Sequence, residues 1–156
     1  MLIRRIEPEL VPLDLLLVAD PSERHIQRYL HSSECYVAEE MGTIVAACLV
    51  KQIDGQTAEL MNIAVDTNNR QQGIGTALLH HVIDVLRNGA CTKLRLGTGA
   101  FGHQLAFYQR AGFRVIAVEQ DYFINTYPEP LFELGIQHRD RLILELELKT
   151  EIKRQH

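Results

Sequence analysis

The chain has 156 residues, a net charge of −4 at pH 7, a hydrophobic fraction of 46% and a charged fraction of 23%. That length fits one domain with a buried core, and the composition is that of an ordinary soluble globular protein. The acidic balance argues against nucleic acid, whose phosphates ask for a basic surface, and fits a neutral or cationic substrate.

Cys35, Cys48 and Cys91 stand far apart and are odd in number. Neither a disulfide framework nor zinc-ligand spacing fits them, so each reads as a small core hydrophobe, and no metal is expected. The N-terminus MLIRRIEPEL is too charged for a signal peptide, and no apolar run approaches membrane-spanning length. Both observations point to the cytosol and away from a membrane.

In chain order, Met1 to Ile6 alternates weakly and predicts a first strand. Leu13 to Val18 and Glu23 to Leu30 predict two short helices, the second preceded by Pro21 and capped by Ser22. Cys35 to Glu39 and Thr43 to Ile53, joined at Met41-Gly42, predict a β-hairpin. After an Asp54-Gly55 turn, Ala58 to Val65 predicts a third antiparallel strand. Periodicity then becomes helical. From Ile74 to Leu86, the residues Ile74, Leu78, Leu79, Val82, Ile83 and Leu86 share one face, with Asn88-Gly89 as the stop signal. Lys93 to Leu96 (strand), Gln104 to Arg110 (helix) and Phe113 to Val118 (strand) predict βαβ crossovers with parallel pairing. Asp121 to Arg139 is less regular, and RLILELEL, Arg141 to Leu148, alternates as a half-buried strand does. The sum is an α/β (α+β) fold: a mixed central sheet of about seven strands flanked by about four helices, in one domain spanning residues 1–156.

The stretch RQQGIG, Arg70 to Gly75, sits between the third hairpin strand and the long helix. Glycine weakens a helix start, so these glycines need a backbone reason. Either they shape a turn, or they clear side chains from a helix N-terminus that holds an anion, with Arg70 adding charge at the same end. No Gly-Lys-Ser/Thr is present and a third glycine is missing, which excludes a Walker motif and a dinucleotide fingerprint.

In this context Arg70-Gln71-Gln72-Gly73-Ile74-Gly75 resembles the R/Q-x-x-G-x-G/A signature of the GNAT superfamily of acetyl-CoA-dependent N-acetyltransferases. It follows the strand AELMNIAV, and downstream QLAFYQRAGFRV, Gln104 to Val115, is similar to that family's second signature. The order of elements agrees across nearly the whole chain. The resemblance implies a GNAT fold and direct transfer of an acetyl group from acetyl-CoA to a primary amine of a small molecule or peptide, through a tetrahedral intermediate and without a metal. It implies that backbone groups of Ile63, Ala64 and Val65 pair with pantetheine, one N–H polarising the thioester carbonyl. Arg70, Gln71, Gln72, Gly73, Ile74, Gly75 and Thr76 would hold the pyrophosphate, and Tyr108 would face the thioester and protonate the departing thiolate.

Glu59, on the strand beside the donor, is the candidate acceptor of the amine proton; a solvated strand-edge carboxylate is the plainer reading. Many family members carry Glu on the strand after the first helix and Asn at the start of the second. Here those positions hold Gly97 and Gly102, which points to a proton path through water. His80 and His81 are adjacent on a helix and diverge too far to form a metal pair. His103 reads as a loop or capping residue, and nothing pairs Cys91 with a base. The segment Asp121 to Asp140 mixes aromatics with acids, which suits an amine-bearing cation, and Tyr127, Glu129 and Glu133 are its candidate acceptor contacts. The alternatives are an acetyl-CoA-sensing module without turnover and an unrelated α/β phosphate binder. A homodimer is the default expectation for assembly.

Overall fold

The computed structural model describes residues 1–149; the end of the expected single domain, residues 150–156, lies outside the described residues. Strands β1 (Leu2–Ile6), β2 (Glu34–Glu40), β3 (Thr43–Gln52) and β4 (Thr57–Val65) form an antiparallel meander. Helices α1 (Leu13–Ala19) and α2 (Glu23–Gln27) lie between β1 and β2. Met41 and Gly42, both at positive φ, make the two-residue turn from β2 to β3, whose handedness matches strand twist. Helix α3 (Ile74–Arg87) buries the six apolar residues named above against β2, β3 and β4. Each such side chain stabilises the fold by about 2 kcal/mol.

The second half comprises β5 (Lys93–Gly99), α4 (His103–Arg110), β6 (Arg114–Glu119), α5 (Tyr122–Thr126), the small hairpin β7 (Phe132–Glu133) and β8 (Ile136–Gln137), and β9 (Arg141–Glu147). The main sheet has seven strands in the order β1-β2-β3-β4-β5-β9-β6. One apolar cluster lies under α3 and α4, and another lies on the opposite face under α1 and α2.

Three expectations need correcting. The βαβ reading holds for β4–α3–β5, which pair in parallel, but β6 pairs antiparallel with β9, which inserts beside β5. The second helix ends at Gln27 rather than Leu30. There Arg28 and Tyr29 donate back three residues, to the carbonyls of His25 and Ile26, and the tightened turn swings Tyr29 inward. β5 continues through Gly97–Gly99 because Arg141–Ile143 of β9 supply a ladder that overrides glycine's poor strand propensity. The segment from Asp121 is also more ordered than its sequence suggests: Leu134 and Gly135, both at positive φ, close the β7–β8 hairpin.

All three cysteines are buried and unbridged, as small core hydrophobes. Among the described residues no helix is long and apolar enough to cross a membrane.

Candidate active site

Parallel pairing of β4 with β5 is confined to Thr57↔Lys93, Ala58↔Leu94 and Glu59↔Arg95. Beyond Glu59 the two strands run on to Val65 and Gly99 without pairing with each other, so a wedge opens inside the sheet. A bulge in the β3–β4 ladder leaves Met61 unpaired, since Leu49 faces Asn62 while Val50 faces Leu60. Such an extra residue bends and twists its strand. The backbone of Ile63, Ala64 and Val65 lies on this splayed part of β4.

The Arg70–Thr76 loop follows directly. Gly73 caps α3 at φ +76 and Gln71 also has positive φ, at +64. Left-handed residues within such a loop help successive N–H groups converge on an anion, and the first turn of α3 adds free N–H groups and the positive dipole end. A Cβ on Gly73 would meet nothing within 4 Å, so that glycine answers to backbone conformation and open space. Gly75 answers to packing: a Cβ there would lie 3.2 Å from Val65 Cγ2 and 3.8 Å from Phe107 Cζ. Gln71, Gln72, Gly73 and Thr76 are exposed, and Arg70 reaches the rim of a cavity on the opposite face of the sheet.

Tyr108 projects from α4 into the core, edge-on to Phe107 and Phe113, and does not line that cavity. Burial pushes its phenol well above the ordinary tyrosine value, with Cys48 adding to the effect. The phenol therefore stays protonated, and because the same burial makes it a weaker acid, any proton transfer from it depends on alignment.

The cavity, of about 360 Å³, has Glu59, Leu60 and Met61 of β4 and Gly97–Gly99 of β5 as its floor. Its wall is a row of rings contributed by distant segments. His25 meets Tyr127 at 5.4 Å, Tyr127 meets Phe123 at 6.1 Å, Phe123 meets His138 at 5.5 Å, and His138 stacks on Phe101 at 4.2 Å.

Three glycine positions on this side are filled from the C-terminal segment. A Cβ on Gly97 would lie 2.5 Å from Arg141 Cδ, one on Gly99 2.6 Å from His138 Nδ1, and one on Gly102 2.5 Å from Glu133 Oε1. Arg141 lies over Tyr122, Cζ to centroid 3.7 Å, and donates to Glu119 at 2.6 Å. Glu133 bridges two imidazoles, His138 Nε2 at 2.9 Å and His103 Nδ1 at 2.9 Å. Desolvation works to raise the Glu133 pKa, but the His138 hydrogen bond and its other polar contacts outweigh it and hold the carboxyl below its ordinary value. Of the three acceptor candidates, Tyr127 and Glu133 line the cavity and Glu129 does not.

Sequence reasoning missed the other polar centre. Asp20, 6% exposed, accepts from His25 Nδ1 at 2.6 Å, Tyr29 Oη at 2.9 Å, Tyr127 Oη at 3.0 Å and the Ser22 N–H at 3.2 Å. Asn62 of β4 donates to Tyr29 Oη and to the Leu16 carbonyl, both at 3.1 Å. The available signal was local: Ser22 caps α2 by accepting from the His25 N–H, which sets His25 one turn from Asp20. Burial raises the Asp20 pKa, but the hydrogen bond and charge of His25, with the Ser22 and Tyr29 bonds, leave it lowered overall. A carboxyl depressed in the folded state stabilises the fold above its unfolded pKa, and that contribution is lost as pH falls through the folded value. Thermal melts should therefore show wild type and Asp20→Asn well separated at neutral pH and converging below about pH 4, the unfolded carboxylate range. A gap independent of pH would contradict this account.

A splayed β4–β5 pair beside a glycine-bounded helix N-terminus offers room for an extended, anion-bearing ligand, and comparison with known proteins gives the class of protein. The profile described as Acetyltransferase (GNAT) family matches residues 6–113, and the chain belongs to that family. An uncharacterized N-acetyltransferase of Bacillus subtilis (strain 168), YvbK, is 38% identical over 136 residues, covering 86% of this chain and 88% of the relative. The structure of an IAA acetyltransferase from Bacillus cereus superposes with TM-score 0.89 at 39% identity, covering 94% of this chain and 98% of that one. A GNAT family acetyltransferase from Elizabethkingia anophelis with acetyl-CoA bound gives TM-score 0.89 at 38% identity, covering 94% and 97%. The protein is thus an acyltransferase with acetyl-CoA as co-substrate. Among the described residues no group of three or more His, Cys, Asp or Glu side chains is placed to hold a metal ion.

Proposed function

We propose that this single-domain enzyme transfers the acetyl group of acetyl-CoA to a primary amine of a small molecule or peptide. The observation that carries the reading is the β4–β5 wedge, which opens onto the glycine-bounded start of α3 and onto a polar, ring-walled cavity on the other face. Pantetheine amides pair with the backbone of Ile63, Ala64 and Val65, and one of those N–H groups polarises the thioester carbonyl. The Arg70–Thr76 loop holds the pyrophosphate.

The acceptor enters the cavity against Glu59, which pairs with its ammonium group and draws the proton off directly or through water. Tyr127 and Glu133 shape the wall, and Glu129 contributes from outside it. Tyr108, kept protonated by its burial, donates to the departing thiolate. A peptide acceptor has precedent in the [ribosomal protein bS18]-alanine N-acetyltransferase of Escherichia coli (strain K12), 35% identical over 83 residues, 53% of this chain and 56% of that one. We assign the enzyme to the cytosol, as a homodimer whose second copy covers the apolar edge strand β6, where Val115, Ile116 and Val118 are exposed.

The test is thiol release from acetyl-CoA in the presence of spermidine, kanamycin, L-lysine or an alanyl peptide. Tyr108→Phe should lower kcat by about 10²-fold or more while the stabilisation given by acetyl-CoA is kept. Equal kcat would move proton donation to water.

A further inference from the structure

Which group finally holds the acceptor's proton can be narrowed by elimination along the cavity. Asp20 is saturated by four donors, and Glu133 is engaged between two imidazoles. The remaining nitrogen of His138, Nδ1, is buried, and the His103 side chain is 82% exposed to solvent. Arg70 and Arg141 are not bases. Glu59 and His25 remain. Of the two, His25 is the one held by a second group, with Nδ1 bound to Asp20 and the ring lining the cavity.

We infer that His25, held by Asp20, is the catalytic base that takes the proton from the acceptor amine; this deepens the amine acetyltransferase reading and rests on it. His25 gives its Nδ1 proton to Asp20 at 2.6 Å, which leaves the lone pair on Nε2. Among the described residues Nε2 has no hydrogen-bond partner, and the side chain is 23% exposed where it lines the cavity. The ring is fixed by edge contacts to Tyr29 at 5.7 Å and Tyr127 at 5.4 Å, and its backbone N–H by the Ser22 cap. Asp20 is the positioning residue: its bonds from Tyr29, Tyr127 and Ser22 keep it ionised and unable to rotate away. The chain Asp20–Tyr29–Asn62 then ties the base to β4 one residue past the bulge. This is a base oriented by a carboxylate, an arrangement that suits general-base catalysis.

The balance is complete. The ammonium R–NH3⁺ loses one proton, through Glu59 or water, to His25 Nε2. The amine lone pair forms the new C–N bond at the thioester carbonyl carbon, and the C–S bond breaks. The sulfur takes the Tyr108 proton, which the second ammonium proton replaces. Imidazolium then releases its proton to solvent.

The experiment measures kcat and kcat/KM for thiol release with the four amines named above, across the pH range in which imidazole titrates, for wild type, His25→Asn, Asp20→Asn and Glu59→Gln. The titratable and charged groups facing His25 are Asp20 at the end of α1, Tyr29 after α2 and Tyr127 after α5. Glu59, Arg70, His103, Glu133, His138 and Arg141 share the cavity. His25→Asn can keep the bond to Asp20, so its fold and its stabilisation by acetyl-CoA should match wild type. Its kcat should fall by about 10²-fold and the acid limb of its profile should vanish. Asp20→Asn should displace that limb, and Glu59→Gln should raise the KM for the amine and lower kcat by less than His25→Asn does. A His25→Asn enzyme within about threefold of wild type, with the limb intact, would overturn the assignment and leave a structural tie. Stabilisation by acetyl-CoA without thiol release from wild type on any amine would instead overturn the amine acetyltransferase reading.

Discussion

Acetyl-CoA raises the thermal midpoint of the wild-type protein and leaves that of Gly73→Glu unmoved: this is the expected result of the largest single substitution. A ligand at 100 times its Kd adds about 2.7 kcal/mol, which for a domain of this length is roughly 5–10 °C. Gly73 is the cap of α3, at φ +76 and with nothing within 4 Å of where a Cβ would stand. The Cβ of a glutamate there meets no protein neighbour, and its charge would sit at the helix end that attracts an anion. Affinity should fall by more than about 100-fold, the order of a 3 kcal/mol loss. The left-handed backbone alone costs a non-glycine residue about 1–2 kcal/mol of stability, so Gly73→Asn, which tolerates that conformation without charge, separates the two effects. Asn should keep most of the stabilisation and Glu none. Equal behaviour of the two would mean that Gly73 only shapes a turn.

Gly99→Ala should be nearly as damaging, on the acceptor side. One methyl at that point would stand 2.6 Å from His138 Nδ1, and the ring cannot retreat without leaving its stack on Phe101 and its bond to Glu133. Overpacking of this kind costs about 1–3 kcal/mol. Turnover of the amine should drop while stabilisation by acetyl-CoA largely persists, because the β4 side of the wedge and the α3 loop are untouched. The double variant Gly99→Ala/His138→Ala should regain most of the lost stability, since it restores the match between a small residue on β5 and the volume above it. Additive losses in the double variant would show that Gly99 is kept for another reason.

Donor and acceptor sides were unequally legible in the sequence. The proposed donor loop depends on backbone conformation, and backbone conformation leaves glycines in fixed places, so the need for glycine at Gly73 and Gly75 could be read directly. Helix α3 was legible because Ile74, Leu78, Leu79, Val82, Ile83 and Leu86 obey one period and are all buried. β9 was legible through alternation, yet nothing local says that it inserts beside β5, because that choice is made by packing between distant segments. The acceptor cavity was hardest. Tyr127 reaches Asp20 across 107 residues of sequence, and the absent polar residues at Gly97 and Gly102 became intelligible only once Arg141 and Glu133 were seen lying there.

Only three residue pairs join β4 to β5, while β3–β4 and β5–β9 are paired over most of their lengths. Mechanically the enzyme is two half-sheets, β1–β4 and β5–β9–β6, stitched at one end. In the proposed binding mode the amide-bearing arm of acetyl-CoA is a removable strand between them, so the co-substrate would double as a piece of the scaffold. On that proposal each turnover would assemble and dismantle part of the sheet itself, and the two half-sheets would be held together along the wedge only while there is something to transfer.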